Sequence, residues 1–329
     1  MKVDESGARP FGNAHRDHNR PQELQKDTPM RFVHFNNSRL GVVVGSEIVD
    51  VTTLLDGQIV GKEGPLHALL STGAGPEAVT DDLLDHAERF DLSAATLHAP
   101  LPLPNKVVAA PVNYYDHQKE MASDKAIIDF GLPTNKTIVD FGIFLKSGTS
   151  VSGPETPIEL PYSDVRIDQE GELGVVIGRR ARNVGIDEAR DYVFGYVNLL
   201  DITCRGAEDR SMRKSYDTFT PIGPWVVTAD EVPDPNNLDL KCWVNDELRQ
   251  DANTAQLICN VDGLISYASS VMTLLPGDII ATGTPAGVGP LANGDSVRVE
   301  IGNLGTLEVT VTDKNAVPFT SAPVTLPTH

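Results

Sequence analysis

The chain has 329 residues, of which 40% are hydrophobic and 22% charged, and its 27 Lys and Arg against 46 Asp and Glu give a formal net charge of -19. At about 150 residues per domain, that length suits two domains with a substantial core, and the composition excludes collagenous, disordered and membrane-spanning chains. An acidic field of this size repels phosphate backbones and anionic lipid, so neither nucleic acid nor a membrane is expected as a partner.

Residues 1–29 are polar and charged without aliphatic periodicity, which reads as a disordered N-terminal extension. They contain no apolar signal-peptide core, and no later run reaches the roughly 18 apolar residues of a spanning helix. A cytoplasmic location is the expectation. Cys204, Cys242 and Cys259 agree with it, being an odd set without C-x-x-C spacing that suggests neither a disulfide framework nor structural zinc. From Met30 onward, RFVHFNN, RLGVVVG and EIVDVT are short β-branched runs broken by Asn, Ser and Gly, the pattern of a small strand meander. Helical patterns follow over 65–70 and 76–90. The stretch APLPLP at 99–104 reads as a linker, so residues 30–104 are predicted as a small β-rich N-terminal domain with its linker.

Residues 105–314 carry strand-like runs at 106–112, 143–146, 169–177, 193–200, 225–228, 240–244, 278–282, 296–300 and 306–311, with few helices between them. The strongest helical pattern, 261–274, repeats Val261, Leu264, Ile265, Ala268, Val271 and Met272 at helical spacing and stops at Pro276-Gly277. No regular βαβ alternation is present. The fold class expected is therefore mainly β within α+β, not a doubly wound parallel sheet. Residues 315–329 read as a C-terminal tail.

Chemistry concentrates in DQEGELGVVIG, residues 168–178. Alternation along a strand sends Glu170 and Glu172 to one face, about 7 Å apart, and Leu173, Val175 and Ile177 to the other. Two carboxylates side by side repel unless a cation lies between them, for which Mg²⁺, Mn²⁺ or Ca²⁺ is the usual answer. The plainer alternative is a solvated polar face on an edge strand. Asp201 ends the apolar run FGYVNLL, and a lone acid at the end of a buried strand needs a partner. Together the three acids suit one face of an octahedral oxygen site. In VNYYDHQKEM, His117 and Glu120 stand three apart on one helical face, where a carboxylate orients an imidazole and raises its basicity, although an ordinary surface helix gives the same spacing. Lys214 in RKSYD reads by itself as one surface lysine among others. The glycines of TGTPAGVG lack G-K-[ST] and G-x-G-x-x-G spacing, which excludes a nucleotide loop.

The succession DQEGELGVVIG, FGYVNLLD, RKSYDTFTPIGPW and LLPGDIIATGTPAGVGP resembles the fumarylacetoacetate hydrolase family in order and spacing over about residues 105–313, with a weaker likeness over 31–60. The resemblance implies a mixed β-sandwich or roll with peripheral helices, usually paired as a homodimer, and Mg²⁺ or Mn²⁺ held by Glu170, Glu172 and Asp201. It implies that His117 and Glu120 sit on a mobile lid helix and activate water, and that Lys214 holds substrate beside the metal and stabilises negative charge. Thr284 matches the threonine placed against the substrate's carboxyl or carbonyl end, and Arg205 also matches a family position. Glu208 stands where many members carry a glutamine that contacts substrate. An acid there repels a carboxylated substrate unless it is protonated or paired, with Arg205, Arg210 and Arg213 as candidate partners.

The function so implied is a metal-dependent hydrolase with a small-molecule keto-acid substrate. It would cleave a carbon–carbon bond of a β-diketo acid of acylpyruvate or fumarylpyruvate type, giving a carboxylic acid and a 2-oxo acid, as in aromatic-compound catabolism. The rival on the same scaffold is isomerisation of a hydroxymuconate-type acid or decarboxylation of a β-keto acid such as oxaloacetate.

Overall fold

The run Gly171–Ile177 is buried at every position because it is hydrogen-bonded on both sides, antiparallel to Val193–Leu200 and to Ile279–Ala281. A central strand offers both faces to the core, and accordingly Leu173, Val175 and Ile177 join one apolar cluster while Val176 joins another. The solvated edge strand considered for this segment is thereby replaced by its opposite. The computed structural model describes residues 30–125, 128 and 133–319; the predicted extension 1–29 and positions 320–329 of the predicted tail lie outside the described residues.

From edge to edge the large sheet runs Arg89–Asp91, Glu47–Asp50, Arg39–Val44, Arg31–Phe35, Thr220–Thr228, Val193–Leu200, Gly171–Ile177, Ile279–Ala281, Val107–Ala109 and Phe144–Lys146. Neighbours along this path are antiparallel except Ile279–Ala281 with Val107–Ala109. Strands before and after the 99–104 stretch share this one sheet, Phe32 pairing with Val226, and Phe32, Leu40 and Val42 pack in the same cluster as Val197 and Ile279.

A second sheet, Glu247–Asn253, Asp239–Val244, Ser296–Ile301, Thr306–Thr312 and Ile158–Glu159, lies against the first. Ser296–Ile301 and Thr306–Thr312 alternate buried and less buried positions, as a sheet with one covered face must. Their inward residues Val297, Val299, Leu307 and Val309 pack with Leu173, Val175 and Leu200. The fold is thus mainly β, as expected. Helix Val261–Val271 follows the predicted apolar stripe, with Asn260 accepting from the Gly263 N–H as its cap, and ends where Met272 turns extended. The helix predicted over 76–90 divides instead into a 3-10 turn Pro76–Ala78, helix Asp81–His86 and strand Arg89–Asp91. Thr80 opens a new helix by accepting from the Leu83 N–H, and pairing with Glu47–Asp50 draws the last residues into the sheet. Strand Glu247–Asn253 was not foreseen, because ELRQDAN is rich in residues that strands disfavour.

Candidate active site

Glu170 sits at a change of sheet. Gln169 pairs with Gly289 in a short ribbon, Gly171 pairs with Leu200 in the large sheet, and Glu170 spans the break. The Asp201 N–H donates to the Glu170 carbonyl at 2.8 Å, which seats the end of one strand beside the start of the other. Carboxylate oxygens of Glu170, Glu172 and Asp201 consequently lie within 4.8 Å of one another, all buried, closer than the roughly 7 Å repeat of a strand.

Burying that much negative charge requires compensation. Lys214 Nζ donates to Glu170 Oε2 and to Asp201 Oδ2, both at 2.5 Å. Lys146 Nζ donates to Asp201 Oδ1 and, at 2.8 Å, to the Phe219 carbonyl. Arg205 donates from Nε to Asp168 Oδ2 at 2.7 Å and from Nη2 to Glu170 Oε1 at 3.2 Å. Arg166 holds the same Asp168 through both its oxygens. Glu172 is the exception, receiving the Gly283 N–H at 2.8 Å and no cationic side chain among the described residues. Burial, then the charges of Asp201 and Glu170, push its carboxyl well above the ordinary range. Burial acts the same way on Glu170, yet Lys214, Arg205 and His117 outweigh it and bring that carboxyl down to about 2. Three converging hard oxygen donors, one of them lacking a cation, fit a divalent oxygen-seeking ion.

The second half of the site comes from helix Tyr115–Ser123, whose buried residues are His117 and Met121. His117 Nδ1 lies 3.0 Å from Glu120 Oε2, and Glu120 Oε1 accepts the Gly287 N–H at 2.9 Å. A carboxylate at Nδ1 assigns the proton to that nitrogen and leaves Nε2 basic. His117 borders the same hollow as Glu170, Glu172, Lys214 and Thr284.

One loop serves both halves, since Gly283 donates to Glu172 and Gly287 to Glu120. Its glycines are obligatory. Gly283 has φ +95° and Gly287 φ +104°, and a Cβ on Gly287 would stand 1.8 Å from the Arg249 carbonyl oxygen. Gln250, fully buried, ties the loop to the carboxylates. Its Oε1 accepts the Gly171 N–H at 2.8 Å, and its Nε2 donates to Thr284 Oγ1 at 2.7 Å and to the Pro285 carbonyl at 2.9 Å. Thr284 in turn donates to the Gly171 carbonyl at 3.0 Å.

Of the residues singled out in the sequence, the structure brings together Glu170, Glu172, Asp201, Lys214, Arg205, His117, Glu120 and Thr284. It does not bring Glu208 to the hollow; that residue is half-buried and offers its backbone carbonyl to Arg213 Nε at 2.8 Å. Sequence reasoning missed Lys146 and Gln250. Lys146 was within reach, because it ends the apolar run GIFL as Asp201 ends FGYVNLL, and a lone charge there carries the same implication. Gln250 offered no signal, standing among polar residues of a strand that was itself missed.

The family model for the fumarylacetoacetate (FAA) hydrolase C-terminal domain matches residues 106–312. A maleylpyruvate hydrolase of Aquipseudomonas alcaligenes is 41% identical over 285 residues, which is 86% of this chain and 99% of that protein. The crystal structure of maleylpyruvate hydrolase from Sphingobium sp. SYK-6 in complex with manganese(II) ion and pyruvate superposes with a TM-score of 0.73 at 41% identity, covering 86% of this chain and 99% of that one. A mitochondrial oxaloacetate tautomerase of Xenopus laevis is 33% identical over 295 residues, 84% of this chain and 89% of its own.

Proposed function

The chain belongs to the fumarylacetoacetate hydrolase family, and from that premise we propose that it is a metal-dependent hydrolase of acylpyruvates, splitting a β-diketo acid into a carboxylic acid and a 2-oxo acid. The observation that carries this reading is His117, held by Glu120 and bordering the same hollow as Glu170 and Glu172 of the carboxylate cluster. Glu170, Glu172 and Asp201 are assigned as ligands of Mn²⁺ or Mg²⁺, Mn²⁺ being the ion in the Sphingobium relative. Bound there, a divalent cation supplies Lewis acidity toward the oxygens of a 2-oxo acid.

The chain's own residues do the rest. Glu120, steadied by the Gly287 N–H, holds His117 with its proton on Nδ1, so that Nε2 takes a proton from water as the water attacks the acyl carbonyl. The carbon–carbon bond breaks toward the 2-oxo acid fragment, and the Lys214 ammonium and the His117 imidazolium offset the charge that develops there. The imidazolium then returns the proton to carbon. Isomerisation or decarboxylation needs no attacking water and would leave the dyad without that task, which is why hydrolysis is preferred. A homodimer belongs to the same reading, to be checked by light scattering. So does a cytoplasmic location; no helix among the described residues is long and apolar enough to cross a membrane.

The test is NMR product analysis with acylpyruvates, hydroxymuconates and oxaloacetate. Two acids from an acylpyruvate are expected. A tautomer alone, or an acid plus CO₂ from oxaloacetate with acylpyruvates untouched, transfers the assignment to the isomerase or decarboxylase class.

A further inference from the structure

Helix Tyr115–Ser123 presents His117 to the hollow and is held along one face. His117, Glu120 and Asp124 stand at i, i+3 and i+7 and so project to the same side. The chain entering the helix is anchored by Asn113, fully buried, which donates from Nδ2 to the Cys259 and Thr282 carbonyls, both at 2.8 Å, and accepts the Cys259 N–H. Glu120 holds the middle through the Gly287 N–H. The far end is different. Asp124, the C-cap, places an acid where the helix dipole is itself negative, an unfavourable position that calls for a cation, and Arg166 Nη1 meets it at 3.0 Å.

Arg166 does not border the hollow, yet it is fastened to it. Its Nε and Nη2 grip both oxygens of Asp168 at 2.7 and 2.9 Å, and Asp168, fully buried, also accepts from Arg205 Nε at 2.7 Å. Arg205 Nη2 in turn reaches Glu170 Oε1 at 3.2 Å. One carboxylate between two guanidiniums leaves positive charge over, and the outer acids, Asp124 and Glu170, take it up. Charges therefore alternate from the helix C-cap to the carboxylate cluster through Asp124, Arg166, Asp168, Arg205 and Glu170. Because the bidentate grip on Asp168 already fixes the planar guanidinium, Arg166 gives up little side-chain freedom on meeting Asp124. With side-chain exposures of 29% and 17%, the pair is better shielded than an ordinary surface ion pair.

We propose that Arg166 is a positioning residue for the hydrolysis: by gripping Asp124 it sets the helix, and with it His117 Nε2, at a fixed place relative to Glu170 and the cation site. This rests on the hydrolase reading above and adds to it a residue that acts from outside the hollow.

The test uses Asp124→Asn, which breaks the grip while leaving Arg166, Asp168, Arg205 and Glu170 paired; circular dichroism verifies that the variant is folded. In the Mn²⁺-loaded full chain, kcat for acetylpyruvate should fall roughly 10- to 100-fold, the size of a small misplacement of a reacting group, with Mn²⁺ affinity unchanged by calorimetry. In a His117→Ala background the same substitution should alter the residual rate by less than about twofold, since no imidazole is left to place. A parent-like kcat, or an equal fractional loss in both backgrounds, overturns the proposal. Hydrogen exchange provides a readout that needs no turnover. Amides of residues 115–123 should exchange roughly 2- to 10-fold faster in Asp124→Asn, as for a lost ion pair; without the grip, removing an acid from that end would favour the helix and slow them. Unchanged or slower exchange overturns the proposal. If the parent protein cleaves no acylpyruvate, the hydrolase reading fails, and the exchange experiment alone decides whether Arg166 holds the helix.

Discussion

Glu170, Glu172 and Asp201 stand at strand ends in the middle of the large sheet, whereas His117 and Glu120 stand on a nine-residue helix beside it. The acids are 4%, 2% and 1% exposed; Glu170 and Asp201 are locked by Lys146, Lys214 and Arg205 from three separate segments, and Glu172 by the Gly283 N–H. The helix has no side-chain cap at its start, and its Met121 packs in a small cluster with Val112 and Phe141, apart from the main core. Segments with few buried contacts open at lower free energy than core strands. The comparison teaches that the cation-binding half is assembled by folding itself, since none of its charges is tolerable alone, while the base-bearing half is held by the Gly287 N–H on Glu120, an Arg166–Asp124 ion pair at its C-cap and a small apolar contact.

The largest effect should follow damage to the folded-in half. Glu172→Ala removes the one acid that lacks a cationic partner, and activity should fall below detection with Mn²⁺ binding strongly weakened, as measured by calorimetry. Chelator should abolish the parent's activity and added Mn²⁺ restore it; full activity in metal-free protein would refute the metal assignment.

Damage to the attached half should be large but separable. His117→Ala should lower acylpyruvate cleavage by roughly 10²- to 10⁴-fold, the usual size of a general-base contribution, with Mn²⁺ affinity nearly unchanged and any oxaloacetate decarboxylation surviving. Glu120→Ala should show the same pattern more mildly, because that residue only orients the imidazole. A parent-like rate in His117→Ala would show that the dyad is idle and that His117 is not the base that activates water.

Gln250 joins the halves, so its loss should blur the distinction between them. Gln250→Ala leaves the Gly171 N–H without its partner inside the core, a cost of about 1–3 kcal/mol in stability. Mn²⁺ affinity and turnover should both drop, each roughly 10-fold as for other residues that brace ligands. A change in thermal stability alone, with both functions intact, would make Gln250 a packing residue only.

The smallest effect is expected at Glu208. Its side chain does not border the hollow, so Glu208→Gln should alter kcat/KM by less than about twofold across a substrate panel, as at positions away from any special feature. A marked gain or a changed substrate preference would show that its carboxylate reaches the substrate after all.

Much of this protein could be read without coordinates. Alternation and apolar runs located the central strands, the stripe from Val261 to Met272 located the long helix, and the acids at 170, 172 and 201 stood out because charge inside apolar sequence demands a partner. Those features are local, and local periodicity is what a sequence displays directly. Other features arise only when distant segments meet. The change of sheet at Glu170 depends on which strands flank it, and the donors to Glu172 and Glu120 are backbone N–H groups, which every residue except proline possesses and no side-chain pattern marks. Gln250 acquires its role because a polar edge strand crosses behind Gly171, and Arg89–Asp91 becomes a strand because Glu47–Asp50 offers it an edge. Register and sheet order bring these groups within hydrogen-bonding distance across as many as 167 residues of chain. Tertiary packing alone therefore decides how Glu170, Glu172 and His117 come to face one hollow.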